Sequence, residues 1–309
     1  MNLIFIDLLK RNPEYFRDNV EIASVYGCFP PAIWNGGRAI SGVTPENVVE
    51  RYIHEFNARN VPLRYTFTNP NITEEHLSDR FCNLITQLAH NGFNEVIVNV
   101  QVLEDYIRKT YPKYPIISTT IKQIEGLAGL ETELGKNYKL VVLDYNWNND
   151  FEKLATIPDK ERCEILINPY CTPHCKRRGE HYKFMGRIQL TGLGTPTSTA
   201  MTEAASFNCP FLHYNFYKAR KFPTHVSADD LYTKYVDMGF SNFKIEGRGF
   251  HPFNVLESYI YYLIKPERAD ELRLKMLTYL ASQPYVDSPI AATVRRFSAN
   301  PTPTAPVGL

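Results

Sequence analysis

The sequence predicts an α/β fold: a TIM-like (β/α)8 barrel, irregular or incomplete in places, built as a single domain over residues 1–297 and followed by a Pro/Thr-rich tail over 298–309. Three observations predict it. Short apolar strands alternate with helical patterns about eight times, as parallel α/β folds require. The polar residues Cys28, Asn69, Ser118–Thr120, Asp144, Asn168, Cys171 and Arg248 fall at or just past C-terminal strand ends, where barrels keep their chemistry. A doubly wound open sheet is the alternative, but no Gly-rich dinucleotide fingerprint follows the first strand.

The elements justify themselves in order. Residues 2–18 carry an amphipathic helical pattern. Strand patterns follow at 21–27, 61–68, 95–100, 115–120, 139–144 and 164–168, each an apolar run stopped by Gly, Asn, Thr or Asp. Thr44-Pro45 reads as an N-cap with Pro at the first helical position, opening a helix to Asn60. Thr73-Glu74-Glu75 caps a helix to Asn91. Helices are expected at 103–111, 121–134 and 150–155. Thr191–Ala200, rich in Gly, Thr and Pro, reads as an irregular loop, and Pro210–Tyr214 as a short strand. Ser227 opens a helix stopped by Gly239. The last strand is 242–246, with helices at 252–264 and 267–282.

A net charge of +1 gives no whole-protein footprint for nucleic acid, and 44% hydrophobic residues suffice for a large core. Asp7 interrupts the apolar N-terminal run, which lacks a basic start and a cleavage site. A signal peptide and a membrane span are therefore not expected, and the localisation read from the sequence is cytoplasmic. Six cysteines without an export signal point to ligands or buried thiols rather than a disulfide framework.

The chemistry concentrates in Cys163–Tyr182, CEILINPYCTPHCKRRGEHY. A buried strand ends at Asn168-Pro169, and Cys171 and Cys175 follow among Lys176, Arg177, Arg178 and His181. Cationic neighbours favour the thiolate, the form that binds metal. Cys82 lies on an apolar helix face and reads as core, and Cys163 enters a strand. Cys28, Cys171, Cys175 and Cys209 are candidates to converge on the barrel mouth, with Cys163 a reserve ligand and His174 or His181 able to fill a gap if only three thiols ligate, and four thiolates are what an iron–sulfur cluster takes. Zinc ranks second, because only one cysteine pair exists and its spacing is wide. The C-x₃-C-x₂-C pattern of radical enzymes is broken at Arg178. No nucleophile elbow and no H-E-x-x-H is present.

Val25-Tyr26-Gly27 with Gly36-Gly37-Arg38, Thr66–Asn69, the Cys171 loop and above all FKIEGR at Phe243–Arg248 together resemble the collagenase-like peptidases, family thirty-two among peptidases of unknown mechanism, in their small barrel-only branch. The resemblance covers about residues 20–265. It implies a TIM-like barrel, a [4Fe-4S] cluster, and oxygen-independent hydroxylation of RNA bases or quinone precursors. Cys171 and Cys175 match the family's cysteine pair, Cys209 a later ligand, and Cys28 the N-terminal ligand of one branch, in preference to Cys163.

The expected reading is thus an iron–sulfur enzyme acting on an aromatic ring or nucleobase, with a small-molecule or RNA substrate and a partner protein of the same family. Arg38, Arg177 and Arg248 would bind an anion as planar forks. His181 is a candidate proton donor, and Asn69, Asp144 and Asn168 are candidate pocket walls. The alternatives are a non-catalytic barrel or partner subunit holding a structural cluster or zinc, and a peptidase.

Overall fold

The computed structural model describes residues 1–191, 197–207, 215–247 and 251–282. Cys209, Arg248, the expected strand at 210–214 and the tail lie outside the described residues. Among those described, seven strands form one all-parallel sheet in sequential order. They are β1 (Val25–Gly27), β2 (Leu63–Phe67), β3 (Glu95–Val98), β4 (Ile116–Ser118), β5 (Leu140–Val142), β6 (Cys163–Leu166) and β7 (Asn242–Lys244). α1 (Asn2–Arg11) precedes β1. Sequential parallel order needs a crossover between successive strands, and helices supply them: α2 (Glu46–Asn57), α3 (Arg80–Leu88), α4 (Gln101–Thr110), α5 (Leu127–Leu134) and α6 (Phe151–Ala155) one by one from β1 to β6, then α7 (Arg178–Leu190), α8 (Ser198–Ser206), α9 (Phe216–Ala219) and α10 (Ala228–Asp230) between β6 and β7. α11 (Pro252–Leu263) and α12 (Ala269–Ser282) follow β7.

The sheet is curled, a half-barrel, and side chains from distant strands meet across its hollow. Arg64 on β2 pairs with Glu164 on β6, and the Tyr26 hydroxyl on β1 donates to the Ile245 carbonyl just past β7 at 2.8 Å. β6 pairs directly with β7, with Glu164 opposite Asn242.

Strand alternation sorts the residues onto two faces. Tyr65, Phe67, Val96, Val98, Ile116, Val141, Cys163 and Ile165 face outward and bury under the helices. Ile97, Ile117, Leu140 and Val142 face inward and pack with Tyr26. Below them an ionic layer joins Arg64 to Glu95 at 2.7 Å and to Glu164, with Lys244 reaching Glu164 at 3.2 Å. A separate cluster of Phe5, Phe16, Leu256, Ile260, Leu272 and Met276 ties α1 to α11 and α12.

Several local expectations shift. α2 starts at Glu46 with Pro45 in the cap position and no side-chain cap, so Thr44 is not the N-cap. The Thr73 capping box forms with His76 as its third residue but caps only the short turn Glu74–Ser78. Asp79 then caps α3 by accepting from the Cys82 N–H. Residues 198–206, within a stretch expected to be loop at its start, are helical.

Candidate functional site at the sheet's C-terminal mouth

Two loops and α7 build the mouth. The first loop follows β1 and runs beside β2. Trp34 is fully buried, its ring 5.2 Å from Phe67 and its Nε1 donating to the His76 carbonyl at 2.9 Å. Gly36 N–H donates to the Thr66 carbonyl at 3.2 Å. A Cβ on Gly36 would lie 2.3 Å from the Thr68 carbonyl carbon, so only glycine lets the backbones approach this closely. Asn35 Nδ2 donates to the Arg38 carbonyl at 2.7 Å, and Arg38 is delivered to the mouth, where it pairs with Glu246.

The second loop follows β6. Asn168, fully buried, accepts from the Glu246 N–H at 2.6 Å and donates to the Glu246 carbonyl at 2.8 Å, fixing the segment after β7. Cys171 and Cys175 follow as neighbours. His174 between them has φ +52°, and its N–H donates to Asn146 Oδ1 at 3.0 Å. α7 then begins with Arg178, whose guanidinium forks onto the carboxylate of Asp144 at the end of β5. Its Nε donates to Gln123 Oε1 at 3.0 Å, and it lies 4.5 Å over the Tyr145 ring.

These elements enclose a cavity of about 110 Å³. Ile97, Val142 and Leu166 form its apolar floor, Thr66, Thr68, Thr119 and Thr120 give it hydroxyls, and Tyr26, Tyr145 and Tyr182 are its aromatic walls. Arg38, Cys171, Arg178, His181, Lys244 and Glu246 complete it. The tyrosines are what the sequence reading missed: they sit in unremarkable local contexts, and only the curl of the sheet brings them together.

The expected site residues separate accordingly. Arg38, Cys171 and His181 line the cavity. Asp144 and Asn168 stand behind it, holding Arg178 and Glu246. Asn69 is fully buried and donates to the Ile33 carbonyl at 2.8 Å and the Gly186 carbonyl at 3.1 Å, so it clamps α7 to the first loop. Arg177 faces outward, paired with Glu180 at 3.1 Å and donating to the Ser206 carbonyl at 2.8 Å. Cys28 packs against the outer, helix-facing core, with Tyr65 and Cys82 as electrostatic neighbours, because the alternation that turns Tyr26 inward ends with β1 at Gly27. The neighbours of Cys171 are Tyr145, Cys175, Glu246 and Arg38.

The cationic loop does not activate the thiol as expected. Burial raises Cys171 above the ordinary thiol range, and Cys175 and Glu246 add to that, outweighing the Tyr145 hydroxyl and Arg38. Arg178 is spent on Asp144, and Arg177 lies outside. Burial, then Arg38 and Arg177, lower His181, which favours a neutral imidazole. The Tyr145 hydroxyl makes no hydrogen bond of regular geometry, and its polar neighbour is the Cys171 sulfur.

Among the described residues no three His, Cys, Asp or Glu side chains form a group able to hold a metal ion. They bring together two sulfurs, Cys171 and Cys175, of the four a cluster takes. No protein-family model, curated protein or solved structure matches the chain. No helix among the described residues is long and apolar enough to cross a membrane.

Proposed function

We propose that the chain is an iron–sulfur enzyme of redox or oxygen-atom-transfer type, acting on an aromatic ring or heterocycle held at the mouth of the half-barrel. The observation that carries this reading is the position of Cys171. One thiol of the C-x₃-C pair lines the same cavity as Arg38, Arg178, His181 and three tyrosines. A ligand in the cavity therefore lies against the element that the resemblance assigns to cluster binding.

Cys171 and Cys175 would hold the cluster, with Cys209 as a further ligand. The described residues alone do not complete the set, because Cys28 belongs to the outer core. A bound [4Fe-4S] cluster supplies one-electron chemistry tuned by nearby charge and burial. The chain's own residues do the rest. The apolar floor favours an apolar ring, the tyrosines among the walls offer it aromatic contact, and the threonine and tyrosine hydroxyls orient it. The Arg38–Glu246 and Arg178–Asp144 pairs keep the walls rigid.

The test is iron, zinc and acid-labile sulfide analysis of protein purified without oxygen, with a visible spectrum. About four iron and four sulfide per chain, lost in Cys171→Ala, is the expected result. One zinc without sulfide would move the assignment to a structural zinc barrel, and absence of any metal would reject the reading.

A further inference from the structure

We infer that the mouth cavity takes an uncharged ligand about one ring in size, recognised by the Tyr182 hydroxyl, rather than the anion that the arginine-rich loops suggest. The inference rests on the proposed site at the mouth and goes beyond it in naming the ligand's charge and size.

Charge is the first argument. Among the described residues three cations line the cavity, and each meets a carboxylate: Arg38 meets Glu246, Arg178 meets Asp144, and Lys244 meets Glu164. Below them Arg64 and Lys139 share Glu95. The surplus positive charge therefore sits at Lys139, half exposed at the opposite end, where water and salt screen it. An anion in the mouth would lose its hydration and meet cations that, among the described residues, are already paired, and a cation would meet carboxylates in the same condition. Burying an unpaired charge is costly, whereas a neutral polar ring loses little.

Size is the second argument. A dry engineered cavity of about 150 Å³ accepts benzene, and this one, about 110 Å³, opens at the mouth so that a substituent extends outward. The enclosed part is thus of about one ring's size, with the rest of a ligand left in the opening.

The third is an available donor. Tyr182 lines the cavity on the first turns of α7, close enough to Arg38, Arg178, Cys171 and Glu246 for each to act on it electrostatically. Its hydroxyl has no hydrogen-bond partner among the described residues. A phenol is a neutral donor at neutral pH. The Thr120 hydroxyl, also without a partner and on the cavity wall, is a second such group. A buried polar group such as the Thr120 hydroxyl is satisfied by what binds, and the partly buried Tyr182 hydroxyl stands beside it on the same cavity wall.

Three probes of nearly equal shape separate the possibilities: benzamide, benzoate and benzamidine, titrated at neutral pH into the full chain and followed by ligand-observed NMR. Benzamide should bind about tenfold more tightly than either ion, the equivalent of one good hydrogen bond's discrimination. Tyr182→Phe should remove most of that advantage without moving the unfolding midpoint. Glu246→Gln, which leaves the walls one positive charge in excess, should shift preference toward benzoate. Tightest binding of benzoate or benzamidine, equal binding of all three, or no binding up to about 10 mM would each overturn the inference, as would an unchanged preference in Glu246→Gln. Metal content measured on the same sample keeps the two readings apart. Metal-loaded protein that prefers benzoate fails the inference alone, and metal-free protein that prefers benzamide fails the proposed cluster alone.

Discussion

The two ends of the half-barrel both carry ion pairs between arginine and carboxylate, but they differ in what else those side chains face. At the lower end Arg64, at 4% exposure, meets Glu95 and Glu164, and the layer's carboxylates take their remaining partners from Lys244 and Lys139. These charges close on one another across the hollow. At the mouth Arg38–Glu246 and Arg178–Asp144 line or back a cavity with hydroxyls, a thiol and a neutral imidazole. The same chemical pair thus works as a rivet where it is sealed, and as a wall where one side opens on space. Substitutions at one end should therefore leave the other as a reporter.

The largest effect belongs to the sealed end. Arg64→Met leaves two buried carboxylates short of their shared cation, a change that costs about 3–5 kcal/mol, read by urea unfolding. Burial alone would raise the Glu164 carboxyl, but Arg64 and Lys244 outweigh it and hold it down at about 2. A folded value depressed below the unfolded one gives stability that is full above about pH 4.5 and lost as pH falls toward 2. In Arg64→Met that acid-limb loss should shrink. An unchanged limb would show that the layer does not act as one unit.

His225 tests the scaffold behind the mouth. Its Nε2 lies 3.0 Å from the Tyr262 hydroxyl, which itself donates to the Ile167 and Val226 carbonyls, so it supports the chain just past β6. Burial, then Arg220, lowers its pKa to about 4. The unfolded chain therefore takes up this proton first on acidification. Stability is full above about pH 6.5 and falls by up to about 3 kcal/mol by pH 4. Replacing His225 by Gln should flatten the profile between pH 4 and 6.5 and leave the Glu164 limb below it intact. A profile still sloping in that window would locate the titrating group elsewhere.

Gly186→Ala addresses the join between α7 and the first loop. The added Cβ would lie 2.3 Å from Asn69 Oδ1 and 2.7 Å from Asn71 Nδ2, and Asn69 is too buried and too fully bonded to retreat. Overpacking of this kind costs about 1–3 kcal/mol. Because α7 carries Arg178, His181 and Tyr182, benzamide binding should weaken as well. The Arg64 substitution, made at the far end, should weaken binding less for its larger loss of stability. Equal losses of binding would mean that the two ends are not separable.

The barrel-like architecture was legible because strand and helix periods differ and apolar runs stop at polar residues. β2, β3 and β6 appear where the runs VPLRYTFT, EVIVNV and EILIN place them. The direct pairing of β6 with 242–244 was not legible, because a strand's neighbour in the sheet is set by long-range pairing and not by its own composition. At the site the sequence pointed to Cys171, Arg38 and His181, whose local patterns are unusual. It could not show that Cys28 faces the outer core, or that Asn69 and Asn168 spend their amides on backbone groups, because both outcomes depend on partners more than thirty residues away. Nor could it foresee that burial outweighs the neighbouring cations at Cys171, since desolvation is set by packing and not by adjacency in the chain.

Arg177 and Arg178 compress that lesson into one peptide bond, and they supply the smallest predicted effect. In sequence they are equivalent cations beside a cysteine pair. In the fold Arg178 is 3% exposed and forked onto Asp144, whereas Arg177 lies half exposed beside Glu180 and Phe207. An exposed pair of this kind is worth about 0–1 kcal/mol. Arg177→Ala should therefore shift the unfolding midpoint slightly and leave benzamide binding at the wild-type level, while Arg178→Ala strands Asp144 without its cation and removes a cavity wall. Loss of probe binding in Arg177→Ala would place this side chain at the mouth in solution and erase the distinction between wall and surface on which the comparison rests.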